Sequence, residues 1–140
     1  MKESFRLSEK ISVYGLIISL SIIVFFHLFV LTGVIPFEMV WGGRLNNREE
    51  MIQFEIISIV INIIMLLVVL ARAGIIGAGI KQGIIRVALW LMFILFLLNT
   101  VGNIFSDNEL EKLIFTPVTI ILAVFSFILA LNPSHQNYVR

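Results

Sequence analysis

Four long runs of apolar residues, separated by short polar connectors, dominate the pattern of this chain. They cover about residues 11–35, 51–72, 84–105 and 107–131. Each run approaches the roughly 20 residues that an α-helix needs to cross the hydrocarbon core of a bilayer. The pattern therefore predicts an all-α integral membrane protein, a single transmembrane domain over residues 1–140 that folds as a four-helix bundle.

Polar and helix-breaking residues mark the ends of the predicted helices. Pro36 should end the first helix, because proline cannot donate the backbone hydrogen bond that would continue it. Asn47 and Glu50 have the spacing of a capping box for the second helix, and Ser106 and Glu109 have the same spacing for the fourth. The connectors between these signals are short, as expected for antiparallel helices.

The fourth run contains a proline and a stripe of small residues. Pro117 should free the backbone carbonyl of Leu113 and bend the helix there. Small side chains on one side of a membrane helix allow close packing against a neighbour. The residues that form this stripe are Thr116, Thr119, Ala123, Ser126 and Ala130.

Composition places the chain in the membrane class. It is 59% hydrophobic and 14% charged, with a mean hydropathy of +1.05. Soluble domains are usually about 45–50% apolar and about 25% charged. The chain has no cysteine, which excludes disulfides, thiol chemistry and thiolate metal sites.

The distribution of lysine and arginine predicts the orientation. Basic residues favour the cytoplasmic side of membrane helices. Seven of the ten flank one side of the predicted bundle, namely Lys2, Arg6, Lys10, Arg72, Lys81, Arg86 and Arg140, and three flank the other, namely Arg44, Arg48 and Lys112. We therefore expect both termini to lie in the cytoplasm, with a bacterial inner membrane as the location.

The second run carries a polar stripe. At about 100° per residue, Ser58 lies roughly 60° and Asn62 roughly 20° from Glu55 around the helix axis. A carboxylate at the bilayer centre costs about 2.5–3.5 kcal/mol on insertion scales. Glu55 is therefore expected to face the bundle interior, close to polar groups of the first or third helix.

Three helices place their strongest polar groups in the same half of the membrane. His27 precedes the outer end of the first helix by about two turns, and polar residues recur in the last two turns of the third. The sequence thus predicts a polar cup open to the outside. Its candidate ligand-binding residues are His27, Glu38, Trp41, Arg44, Glu55, Asn62, Asn99 and Asn103.

These residues also have structural interpretations. The three asparagines can form hydrogen bonds between helices, which average about 0.6 kcal/mol in membranes. His27 can be a hydrogen-bonded packing residue. Arg44 can be a solvated loop charge or the partner of a nearby carboxylate.

No metal, cofactor or nucleic acid is predicted. His27, Glu38 and Glu55 could hold a divalent ion, but their spacing is not diagnostic. His27 and His135 lie at opposite sides and cannot ligate one haem together. The basic residues are few and flank membrane helices, which does not suggest a nucleic-acid partner. No nucleophile–base pattern identifies a catalytic residue.

Three functional hypotheses remain open. The first is binding or translocation of a small polar, ionic or amphipathic molecule through the cup. The second is an accessory protein that binds another membrane protein, or a second copy of itself, through its polar and small-residue faces. The third is a lipid-modifying enzyme that uses Glu55 and His27 as acid and base. The lipid bilayer is the one partner common to all three.

Overall fold

The fold is built from four long helices. The computed structural model of the chain describes residues 2–77 and 79–132, with side chains from residue 6 onward. The helices are α1 (Lys2–Leu31), α2 (Arg48–Arg72), α3 (Gln82–Ile104) and α4 (Thr116–Leu131). A π-helical turn, Glu111–Phe115, leads directly into α4. The described ranges contain no β-strand.

Each helical segment is long and apolar enough to cross a membrane. The spans are Arg6–Leu31, Arg48–Arg72, Gln82–Ile104 and Glu111–Leu131. Large hydrophobic side chains are exposed on every one of them. The prediction of an all-α protein with four membrane-length helices is confirmed, and the exposed apolar surface suggests contact with the bilayer.

α1 ends at Leu31, earlier than the predicted residue 35. Gly33 has a φ of +80°, a left-handed conformation that ends the helix before Pro36 is reached. Pro36 instead precedes a 3₁₀ turn, Phe37–Met39, and a second such turn follows at Trp41–Gly43. The connector between α1 and α2 is therefore a folded segment.

The predicted cap of α2 forms in part. The side chain of Asn47 accepts a hydrogen bond from the backbone N–H of Glu50 at 2.9 Å. The carboxylate of Glu50 accepts from the backbone of Asn46, one residue earlier than a capping box requires. At the other end, Gly74 adopts a φ of +75° and terminates α2 in a Schellman motif.

The predicted capping box of the fourth run does not form. Ser106 Oγ accepts from the backbone N–H of Asn108 and donates to the carboxylate of Glu111. Glu109 instead forms an exposed ion pair with Lys112 at 3.3 Å. Ser106 therefore bonds to the carboxylate of Glu111, which lies two residues beyond Glu109, the partner that the capping box requires.

Pro117 lies where the π turn changes into α4. Proline has no N–H for the carbonyl of Leu113, and its ring crowds that carbonyl. The π turn widens the backbone at that place. The fourth run is therefore not one continuous α-helix from residue 107, as the sequence predicted. The bend expected at Pro117 remains a prediction.

The helices form a ring in which α1 contacts α2 and α4, and α3 contacts α4 and, less extensively, α2. α1 and α4 approach closely at Gly15, where a Cβ atom would overlap the ring of Phe125. α3 and α4 share a hydrogen bond of 2.8 Å between Thr100 and Thr119. Most of the predicted small-residue stripe is buried at these contacts: Thr119, Ala123, Ser126 and Ala130.

The bundle has two chemically different ends. The acidic end comprises the connector 32–47 and the segment 105–110. The basic end comprises the beginning of α1, the end of α2, the connector 73–81, the beginning of α3 and the end of α4. Arg140 and the rest of the chain from residue 133 lie outside the described residues, as does the side chain of Lys2.

Candidate functional site

Glu55 lies at the centre of a hydrogen-bonded cluster near the acidic end. The residue is buried. Oε2 lies 2.7 Å from His27 Nδ1 on α1, and Oε1 accepts a hydrogen bond of 2.7 Å from the indole Nε1 of Trp41. The prediction that Glu55 faces the interior, beside a polar group of the first helix, is confirmed.

Helix geometry brings His27 and Glu55 to the same depth. Glu55 lies about 10 Å along α2 from its start at Arg48, and His27 lies about one turn before the end of α1. Because the helices are antiparallel neighbours, both side chains lie one to two turns below the connector. Trp41 reaches them from that connector. The cluster therefore joins two helices and the loop between them.

Trp41 holds an unusual backbone conformation at this cluster. Its φ is +56°, and Gly42 and Gly43 follow at +65° and +67°. A bulky residue in the left-handed region is strained by about 1–3 kcal/mol. The indole hydrogen bond to Glu55 and the ring contact with Phe54, at 5.1 Å between centroids, oppose that strain.

A second buried carboxylate lies at the same end. Glu111 accepts from the backbone N–H of Gly42 at 3.0 Å and from the hydroxyl of Ser106. The side chain of Asn108 donates to the backbone carbonyl of Met39. These bonds hold the connector against the beginning of the fourth span.

The sequence pattern does not predict this second cluster. One feature of the sequence does indicate that Glu111 faces inward. It lies eight residues before Thr119, which is two steps of the four-residue spacing that the small-residue stripe follows. No sequence signal connects it to Gly42, which is 69 residues away.

The other predicted site residues do not join the cluster around Glu55. Asn62 is buried, but its amide donates to the carbonyl of Ser58 on its own helix. Asn99 is exposed on α3, and Asn103 is partly exposed. These asparagines therefore do not complete a cup with Glu55, because α3 turns Thr100 inward in place of Asn99.

The connector residues Glu38 and Arg44 are both exposed. Glu38 is therefore separate from the buried His27–Glu55 contact, and the three do not form an ion site. Among the described residues, no group of three or more His, Asp or Glu side chains is placed to hold a metal ion. Of the eight predicted residues, the structure brings together His27, Trp41 and Glu55.

The chemistry available to this trio is proton exchange. Indole is a hydrogen-bond donor only, so Glu55 Oε1 must accept. The short contact of Oε2 with His27 Nδ1 places one proton between them. Imidazole can take a further proton on Nε2, the nitrogen that Glu55 does not contact.

Comparison with models of protein families, with curated proteins and with solved structures finds no match to this chain.

Proposed function

We propose that the protein binds or translocates a small ionic species, the proton in the first place, at the acidic end of a multi-pass bundle in a bacterial inner membrane. Both termini are assigned to the cytoplasm. The distribution of lysine and arginine supports this orientation, because seven of the ten belong to the basic end and the chain termini. The acidic end then faces the outside.

The observation that carries the proposal is the 2.7 Å contact between His27 and the fully buried Glu55. With His27 neutral, the pair has one proton between its partners and a net charge of −1. A second proton on Nε2 makes the pair neutral overall. Each proton that binds or leaves therefore changes the net charge buried between α1 and α2 by one.

His27 is the more accessible member of the pair. The side chain of Glu55 is 1% exposed, whereas that of His27 is 15% exposed. An intramembrane carboxylate behind a partly accessible imidazole can exchange protons with its surroundings without itself facing lipid. The other charged groups of the acidic end do not enter this contact. Glu111 is bonded to Gly42 and Ser106, and Glu38 and Arg44 are exposed.

An accessory role is the second candidate, and one observation favours it. Asn99 is exposed on α3, one residue before the buried Thr100. An amide that faces hydrocarbon lacks hydrogen-bond partners, which a helix of another protein or of a second copy could supply. This candidate predicts that Asn99→Leu disrupts an association and leaves proton exchange unchanged.

The lipid-modifying enzyme is the third candidate. Hydrogen bonding of Nδ1 to a carboxylate orients an imidazole so that Nε2 can act as a general base. The described residues show no nucleophile hydrogen-bonded to His27. The same His27–Glu55 contact would serve this reaction, so turnover of phospholipid by the purified protein distinguishes it from proton exchange.

The test follows His27 by ¹⁵N NMR in lipid, in a His135→Gln background that leaves one histidine in the chain. Glu55→Gln conserves the shape of the side chain and removes its charge. Its amide can accept from Trp41 and donate to His27 Nδ1 only when the imidazole proton lies on Nε2. We expect Nδ1-protonated imidazole in the parent protein and Nε2-protonated imidazole in Glu55→Gln.

Proton uptake into dye-loaded liposomes then tests the function. We expect Glu55→Gln to lose uptake, because the glutamine cannot stabilise a protonated His27. Glu111→Gln is the matched control, since it neutralises a buried carboxylate at the same end whose hydrogen bonds go to Gly42 and Ser106 and not to His27. Equal uptake by Glu55→Gln and the parent protein would contradict the proposal and move the accessory role to first place.

A further inference from the structure

A cavity at the basic end is chemically distinct from the acidic-end cluster. It has a volume of about 250 Å³ and lies between the end of α2, the beginning of α3 and the end of α4. Its polar lining comes from Arg72, Gln82, Arg86 and Asn132. Two arginines around one cavity at the end of a membrane bundle indicate an anionic ligand.

Backbone carbonyls position both guanidinium groups. Nη2 of Arg72 lies 3.4 Å from the carbonyl of Asn132, and Nε of Arg86 donates to the carbonyl of Ala130 at 3.0 Å. The Arg86 bond uses one of the five N–H groups of its guanidinium. The planar fork at the end of Arg86 is the part that matches the oxygens of a phosphate.

The charge at the cavity suits a monoanion. Arg72 also forms a buried ion pair with Glu9 at 3.6 Å. Two arginines and one carboxylate leave one net positive charge. A phosphodiester carries a single negative charge, so it neutralises this group of side chains.

The beginning of α3 adds to the same preference. Lys81 is the N-cap residue of α3, and its side chain makes no capping hydrogen bond. The first turn contains no acidic residue, and Gln82 and Gly83 of that turn line the cavity. Unpaired N–H groups and the positive end of the helix dipole both favour an anion here.

We propose that this cavity binds the phosphate group of an anionic phospholipid. Arg86 and the first turn of α3 hold the phosphate oxygens, with Arg72 below them. Ile85, Leu89 and Leu129 form the apolar part of the lining. That surface suits the glycerol and first methylenes of a lipid, whereas a hydrated inorganic phosphate gains nothing from it. The site is independent of the proton site, which lies at the opposite end of the bundle.

The first test measures thermal unfolding of the full-length protein in detergent, with phosphatidylglycerol or phosphatidylcholine added at equal mole fractions. Ligand binding to the folded state raises Tm. We expect phosphatidylglycerol to raise Tm and Arg86→Gln to weaken its apparent affinity about tenfold, as the loss of a charged hydrogen bond predicts. Arg48→Gln is the matched control, because it removes an exposed arginine at the acidic end.

A second variant separates binding from folding. A Cβ at Gly83 meets open space, and Gly83 has no left-handed φ. Gly83→Asp places a carboxylate in the first turn of α3, which favours the helix and repels a phosphate. We expect the lipid-free Tm to stay the same or rise, and the effect of phosphatidylglycerol to disappear.

Two results would overturn the proposal. One is a rise in Tm with phosphatidylglycerol that is as large for Gly83→Asp as for the parent protein. This result counts even if Arg86→Gln does not fold. The other is an equal rise in Tm with inorganic phosphate in place of the lipid, which would assign the cavity to free phosphate.

Discussion

Trp41 and Gly42 are neighbours in the connector, and their N–H groups reach two different buried carboxylates. The indole of Trp41 donates to Glu55 on α2 at 2.7 Å, and the backbone N–H of Gly42 donates to Glu111 at 3.0 Å. Two consecutive residues therefore hold the connector against both hairpins of the bundle. Together with the bond from Asn108 to the Met39 carbonyl, these two bonds join the connector to the helices beneath it.

Trp41→Phe tests the indole bond. The substitution keeps an aromatic ring beside Phe54 and leaves Glu55 Oε1 without a donor. A hydrogen bond to a charged group contributes about 1.5–3 kcal/mol, so we expect the free energy of unfolding to fall by about that amount. Denaturant unfolding in detergent measures it. Trp90→Phe is the control, since Trp90 packs against Phe93 and Phe127 and its indole has no hydrogen bond to any of the described residues. An equal loss in both variants would contradict the prediction.

Asn62→Leu and Glu55→Leu should differ strongly in how much they destabilise the protein. Within residues 2–77 and 79–132, the Asn62 amide bonds to a carbonyl of its own helix and to no other helix, so its replacement should change the free energy of unfolding by less than about 1 kcal/mol. Glu55→Leu leaves the donors of His27 and Trp41 unpaired, and breaking a buried charged contact costs about 3–5 kcal/mol. Thermal unfolding of both variants in the same detergent measures the difference. A larger loss for Asn62→Leu would show that Asn62 has a partner outside the monomer.

Gly15→Ala should loosen the contact between α1 and α4. The added methyl group overlaps the ring of Phe125, and forcing extra volume into a packed core costs about 1–3 kcal/mol. Gly102→Ala is the counterpart within α3, where a Cβ meets open space. There we expect a gain of about 0.5–1 kcal/mol, because alanine favours the helix over glycine. Chemical denaturation of the two single variants compares them, and stabilisation by both would disprove the close contact.

Pro117→Ala should convert the π turn into α-helix and straighten the fourth span. The alanine restores a backbone N–H for the carbonyl of Leu113, and neighbouring helices should keep the protein folded. Glu111 would then rotate by about 100° relative to α4, away from Gly42. A structure of the variant tests this, and an unchanged π turn would show that the proline does not cause it.

Both termini should lie in the cytoplasm. Reporter tags fused to each end, active in only one compartment, test this directly. We expect this because seven of the ten lysines and arginines flank the side of the bundle on which the termini lie. A signal from the outer compartment at either terminus would reverse the assignment of the acidic end.

Some features follow from the sequence by itself. The lengths of the apolar runs determine the number of membrane helices, because a helix rises about 1.5 Å per residue and must cross about 30 Å of hydrocarbon. The interior position of Glu55 follows from the cost of a carboxylate in lipid. Asn47 as the cap of α2 follows from local hydrogen bonding, which needs only neighbours in the chain.

The partners of Glu55 were decided by the tertiary structure. His27 is 28 residues away and Trp41 is 14 away. Their meeting depends on the left-handed turn at Gly33, the conformation of Trp41 and the pairing of α1 with α2. The same holds for Glu111 and Gly42, which are joined across the two hairpins.

Which face of each helix turns inward was also decided only by packing. In water, burial separates apolar from polar faces, so periodicity reveals the core. In lipid the outer surface is as apolar as the interior, and that signal is weak. Asn99 and Thr100 are adjacent and both polar, yet only Thr100 is buried, because its hydroxyl meets Thr119 where α3 packs on α4.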